Sequence, residues 1–212
     1  MRSETPPAIQ YLLLYALGTM KSAILSPPFA LMQNHYLDVY AWMRFVVNLM
    51  GPEETLQFVY PQMFSVSDPQ LSEDSPPPML NLLWSSFESQ GIYVVFNALF
   101  VYLWVGRDAD SQLLALLFGV DQYSDIDMHI SEEEVFQRAG ESAYVAALQG
   151  LVNSLRTSRI LFAKLRVLLQ GERESERDLT ALLVEDNKCS AYQISYEKFM
   201  DGLVGGKRAM PY

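Results

Sequence analysis

The sequence predicts an α+β fold in which N-terminal helices precede a mixed β-sheet that helices cover on both faces. The run 91–106, GIYVVFNALFVYLWVG, is rich in β-branched and aromatic residues on both sides of a short polar break, which favours a hairpin. Both of its arms are almost continuously apolar, as in strands with two covered faces. Apolar residues at helical spacing precede and follow this run, so amphipathic helices are available as covering layers.

Length and charge exclude several classes of protein. The 212 residues suit one large domain or a domain with an appendage, and half of them are hydrophobic. A net charge of −10 argues against binding to duplex nucleic acid or to an anionic membrane surface. The 14 residues between Gly91 and Gly106 are too few to span a bilayer. Cys189 is the single cysteine and cannot form an internal disulfide, which favours a reducing compartment.

The first 59 residues are predicted to form a partial helical domain. The apolar run Ile9–Leu17 after Arg2 has some features of a signal peptide, but Glu4 and the prolines at 6 and 7 spoil the basic leader. We therefore expect a helix over residues 8–25. Further helices are expected over residues 35–50 and from Pro52 to Val59, where proline suits the first turn.

Residues 60–204 are predicted to form the second domain. Met63 to Val66 is expected to be a strand, Met79 to Gln90 a helix, and Ser111 to Val120 a helix capped by Asp108 or Asp110.

A long helix is predicted over residues 132–157. Ser131 and Glu134 have the spacing of a capping box, and the buried stripe comprises Tyr144, Leu148, Leu151 and Leu155.

The C-terminal part is predicted to alternate between strands and turns before a last helix. The expected segments are a strand over Phe162–Leu169, a charged turn over Gly171–Asp178, a strand over Leu179–Val184, a helix over Ser195–Leu203 and a frayed tail over residues 205–212.

No catalytic or metal-binding residue is predicted. The spacing of Asp125, Asp127 and His129 invites a calcium loop, but Ile130 and Phe136 stand where an EF-hand needs glycine and glutamate. The acidic stretch is interpreted as a solvated connector.

A Cys–His catalytic pair remains an unfavoured alternative. Cys189, His35 and His129 lie far apart in sequence and carry no recognisable signature, so a structural thiol is the simpler interpretation.

A small basic cluster is a candidate partner-binding site. It comprises Arg156, Arg159, Lys164 and Arg166 on an otherwise acidic chain. Either these residues are merely solvated at a helix end and a strand face, or Arg156 and Arg159 help to bind a carboxylate or an acidic partner segment.

Two aromatic residues at the predicted hairpin tip are the other candidates. Phe96 and Phe100 flank the turn, although such tips are normally polar. Either the chain itself covers the tip, or Phe96 and Phe100 contact a neighbouring domain or partner.

Several short motifs in order resemble one family, the cargo-adaptor subunit of the COPII coat. The first matching feature is an N-terminal apolar run with a lysine after it, and the others are short motifs spread along the rest of the chain. In order they are Leu12–Leu17 with Lys21, Tyr60-Pro61, Tyr102-Leu103-Trp104-Val105-Gly106, Leu117-Phe118-Gly119-Val120, and Leu183-Val184-Glu185-Asp186 followed by Ser195-Tyr196. The similarity covers nearly the whole chain and corresponds to the C-terminal region of that subunit.

The resemblance implies a helical segment followed by a gelsolin-like domain in a non-enzymatic vesicle-coat component of endoplasmic reticulum to Golgi transport. It implies a cytoplasmic protein, peripheral at the endoplasmic reticulum membrane and on the vesicle coat. Its implied partners are the GTPase-activating subunit of the inner coat, the cytosolic sorting signals of membrane cargo and, indirectly, a small GTPase. No cofactor is implied here, since the family's structural zinc belongs to an upstream zinc finger. The chain is expected to be an excised fragment or a truncated homologue.

The hairpin turn departs from the family pattern. The family usually has Asn-Gly there with an acidic residue before it, whereas this chain has Phe96, Asn97 and Ala98. Ala98 tolerates the positive φ of a type I′ turn poorly, at about 1 kcal/mol, so another loop type is expected. Phe96 cannot supply the carboxylate of calcium-binding gelsolin repeats, so no calcium is expected there. The alternative function is a calcium-regulated actin-binding repeat of the gelsolin or villin type.

Overall fold

A computed structural model describes residues 11–22, 36–72, 77–157, 162–187 and 193–204. Five strands form one sheet in the order β2-β1-β3-β4-β5. They are β1 (Gln62–Ser65), β2 (Met79–Leu80), β3 (Ile92–Phe96), β4 (Phe100–Val105) and β5 (Lys164–Leu169). β4 and β5 are parallel, and the other neighbouring pairs are antiparallel.

The apolar hairpin is β3 and β4, and β3 is the central strand of the sheet. Its register places Tyr93 opposite Trp104 and Val94 opposite Leu103. Every residue of β3 is buried, and Trp104 is only 1% exposed. The predicted hairpin and its central position are therefore confirmed.

The described residues before β1 form three helices, as predicted. They are α1 (Leu12–Lys21), α2 (Tyr36–Leu49) and α3 (Pro52–Val59). α3 begins with Pro52, and the Glu54 carboxylate accepts a hydrogen bond from the Gly51 N–H at 2.7 Å, so the first turn is capped. The proposed boundary between residues 59 and 60 stays a prediction.

One face of the sheet packs against three helices that lie between β4 and β5 in the sequence. These are α4 (Ser111–Phe118), α5 (Glu132–Phe136) and α6 (Ala143–Arg156). Because side chains alternate along a strand, this core takes every second residue of the hairpin. Its members include Val94, Phe96, Val101, Leu103, Leu113, Leu117, Val135, Leu148 and Val152.

The opposite face packs against helices from the N-terminal and C-terminal parts of the described residues. Its helices are α1, α7 (Arg173–Thr180) and α8 (Tyr196–Val204). The members of this core include Leu17, Tyr60, Met63, Leu82, Tyr93, Trp104, Leu168, Leu179, Val184 and the half-buried Phe199. Covered faces on both sides explain why both arms of the hairpin are apolar.

The predicted helix over Met79–Gln90 is wrong. Met79 and Leu80 pair with Phe64 and Met63 as the edge strand β2, and Trp84–Ser86 forms one 3₁₀ turn. The spacing of Leu82, Leu83 and Phe87 imitates a helix, but long-range contacts determine this segment.

The single helix predicted over residues 132–157 is also wrong, because the structure has two helices there. The capping box of Ser131 and Glu134 is present and opens α5, which ends at Phe136. A turn over residues 137–142 follows, and the Ser142 hydroxyl then caps α6 by accepting a hydrogen bond from the Val145 N–H at 3.4 Å.

The C-terminal prediction needs a further correction. The charged run that was expected to be a turn contains α7, whose N-cap Glu172 accepts a hydrogen bond from the Ser175 N–H at 2.7 Å. The strand predicted over Leu179–Val184 is absent, because residues 179–180 end α7 and 181–184 follow in a turn. Asp110 caps α4 and α8 is present, both as predicted, whereas the tail over 205–212 lies outside the described residues.

Candidate interaction surfaces

The hairpin tip is a tight loop held by Asn97. Its side-chain oxygen accepts hydrogen bonds from the Leu99 N–H at 3.1 Å and from the Phe100 N–H at 2.8 Å. Ala98 has a φ of 66°, in the left-handed region that L-residues disfavour. Among the described residues other than glycine it alone has a positive φ, so the loop differs from a type I′ turn, which needs two.

The chain covers its own hairpin tip. Phe96 is fully buried, and Asn97, Ala98 and Leu99 are all less than 9% exposed. Phe96 therefore presents no surface to a partner in this fold, which agrees with the first of the two alternatives for the tip. Phe100 is half-buried and lies on the other face, beside Tyr102 with ring centroids 5.6 Å apart.

Arg156 is engaged inside the chain. Its guanidinium forms a two-point ion pair with Glu132, with Nη2 at 2.7 Å from Oε2, and its Nε donates to the Ala163 carbonyl at 2.8 Å. It also lies 4.4 Å from the ring centroid of Phe162. With 9% of the side chain exposed, Arg156 ties α6 to α5 and to the start of β5. Arg159 lies outside the described residues, and its predicted role stays a prediction.

The accessible part of the basic cluster lies on and beside β5. Lys164 and Arg166 are exposed, and Phe162 is 75% exposed. Arg166 lies 4.7 Å from the ring centroid of Phe100 and 3.5 Å from the Asp178 carboxylate. We call Phe100, Phe162, Lys164 and Arg166 the basic–aromatic surface. The sequence predicted that Lys164 and Arg166 belong to a basic cluster, but it did not predict that Phe162 is exposed beside them.

The acidic and histidine residues in the described part of the chain do not form a metal site. No group of three histidine, cysteine, aspartate or glutamate residues suited to a metal ion occurs within that part of the chain. The Asp127 carboxylate accepts the His129 N–H at 2.8 Å, as expected of a connector turn. His35 and Cys189 lie outside the described residues. Within those same ranges, no helix combines the length and apolar character needed to cross a membrane.

A buried polar clamp joins α1 to the segment after α7. Lys21 is 4% exposed, and its ammonium group donates to the carbonyls of Val184 at 2.7 Å and Asp186 at 2.6 Å. Burying an ammonium group is costly unless it is hydrogen-bonded, so these contacts fix α1 against the segment that follows α7. The sequence did not predict this clamp. The one signal for it is Lys21 itself, a lysine at the end of an otherwise apolar helix.

The neighbouring carboxylates complete the clamp. The buried Glu185 Oε1 accepts hydrogen bonds from the Tyr60 hydroxyl at 2.8 Å and the Leu82 N–H at 2.9 Å, and Asp186 accepts from the Trp84 N–H at 3.0 Å. Burial, and secondarily the hydrogen bond to Glu185, raise the pKa of Tyr60 well above its ordinary value. These contacts give a structural role to Tyr60 in the Tyr60-Pro61 motif and to the last three residues of the Leu183-Val184-Glu185-Asp186 motif.

A five-stranded mixed sheet between helices defines the class of the fold. Comparison of the chain with known proteins gives that class a name. Residues 73–147 match the gelsolin repeat family. That match includes the hairpin and α4 but leaves out the N-terminal helices and β5.

Proteins of the Sec24 type match a much larger part of the chain. Human protein transport protein Sec24C is 28% identical over 195 residues, which is 92% of this chain and 17% of that protein. SEC24 of Dictyostelium discoideum is 23% identical over 198 residues, covering 89% of this chain and 19% of that protein. The crystal structure of the human COPII-coat protein Sec24c superposes with a TM-score of 0.79 at 26% identity, covering 94% of this chain and 25% of that one.

The chain is therefore similar in fold and sequence to one part of Sec24-type proteins, with a gelsolin-like repeat within it, as the resemblance implied. It spans less than a fifth of the length of these two full-length relatives.

Proposed function

We propose that the chain acts as a non-enzymatic component of a COPII vesicle coat, in the cargo-selecting adaptor, during transport from the endoplasmic reticulum to the Golgi. The observation that supports this most strongly is the structural similarity to human Sec24c over 94% of the chain. The proposed location is cytoplasmic, peripheral at the endoplasmic reticulum membrane and on the vesicle coat. The chain is proposed to need no cofactor.

The proposed partners are the GTPase-activating subunit of the inner coat, the cytosolic sorting signals of membrane cargo and, indirectly, a small GTPase. Binding would use a rigid surface rather than reaction chemistry. The basic–aromatic surface supports this proposal, because Lys164 and Arg166 offer cations to an acidic segment while Phe100 and Phe162 offer apolar contact. Exposed ion pairs contribute only about 0.2–1 kcal/mol each, so a single short signal would bind weakly.

A pull-down with purified GTPase-activating subunit and with cytosolic tails of export cargo tests the proposed function. The test variant combines Lys164→Glu with Arg166→Glu, and the matched control combines Arg173→Glu with Arg177→Glu at exposed positions of α7. We expect the wild-type chain to retain at least one of these partners, and the test variant to retain clearly less than the control does.

Failure of the wild-type chain to bind any tail or the coat subunit, where a full-length Sec24 protein binds both, would refute the adaptor role. Equal losses from the test and control variants would refute the basic–aromatic surface as the binding site.

The gelsolin repeat match does not favour an actin-binding function, because it describes the fold of residues 73–147. The buried Phe96 also leaves no carboxylate at the position where calcium-binding repeats supply one. Isothermal titration with calcium should give no heat of micromolar binding, whereas such a heat would support the actin-binding alternative.

A further inference from the structure

No further inference is drawn: the strongest candidate, the apolar stripe that Trp42, Phe45 and Leu49 expose on α2, carries none, because nothing in the described part of the structure shows what covers it.

Discussion

Replacing Lys21 by methionine tests the buried clamp between α1 and the rest of the fold. Methionine keeps most of the apolar stem but removes the ammonium group, so the carbonyls of Val184 and Asp186 lose the donors that lie within 2.7 Å of them. Hydrogen bonds to charged groups contribute about 1.5–3 kcal/mol each, and both carbonyls lose the ammonium donor. Since the ammonium group no longer has to be desolvated, part of this loss is recovered.

The net cost expected for Lys21→Met is about 3 kcal/mol of unfolding free energy. For a chain of this length, that loss lowers the melting temperature by about 6–12 °C. Urea denaturation and calorimetry measure the two quantities. The matched control is Lys198→Met, the same change at an exposed lysine of α8, which should alter stability by less than about 0.5 kcal/mol. A Lys21→Met chain as stable as the control would show that the clamp does not hold α1 in place.

Three further predictions concern the tip, the contact of α1 with α3, and pH. Phe96→Ser should lower the free energy of unfolding by about 4 kcal/mol or abolish folding, because the Phe96 ring is fully buried. Phe100→Ser should lower it by about 1–2 kcal/mol, because Phe100 is only half-buried. Equal stabilities of the two variants in urea denaturation would contradict this difference in burial. Gly18→Ala should destabilise the fold despite alanine's higher helix propensity, since the new Cβ would lie 2.2 Å from the Val59 carbonyl oxygen. The control Gly140→Ala should not destabilise it, because no atom lies within 4 Å of the Cβ added there. A Gly18→Ala chain that calorimetry finds more stable than the wild type would disprove the contact. Burial raises the pKa of Tyr60, Tyr102 and Tyr144 above the ordinary value of 10.0. Their contribution to stability is therefore complete below pH 10 and is lost above it, because tyrosines of the unfolded chain ionise there first. Melting temperatures should fall above pH 10, and less steeply for Tyr102→Phe; an unchanged slope in that variant would argue against the raised pKa of Tyr102.

Local patterns in the sequence predicted the elements whose causes are local. The hairpin follows from two apolar arms around Asn97, α4 from its Asp110 cap, and α5 from the capping box of Ser131 and Glu134. In each case the residues that form the element are also the residues that stabilise it.

The wrong predictions fall where distant residues or weak local signals decide. The Met79–Gln90 segment has helical spacing, but β1 pairs with its first residues, and Glu185 and Asp186 bind the N–H groups of Leu82 and Trp84. The break between α5 and α6 depends on a turn that ends at Ser142. The run starting at Gly171 is so polar that the sequence predicts a turn there, although Glu172 caps a helix in the structure.

The candidate surfaces were only partly predictable for the same reason. The sequence predicts one basic cluster that contains Arg156, Lys164 and Arg166. In the structure, Arg156 forms an ion pair with Glu132, which lies 24 residues earlier in the chain.

Hydrogen–deuterium exchange of the backbone amides in β3 and β4 is the most direct test of the central claim, that the apolar hairpin lies at the middle of a sheet covered on both faces. The amides of Val94, Val95, Leu103 and Trp104 should exchange only through global unfolding, with protection free energies equal to the unfolding free energy from urea denaturation. Exchange of these amides through local opening, at a free energy several kcal/mol below that value, would contradict the account.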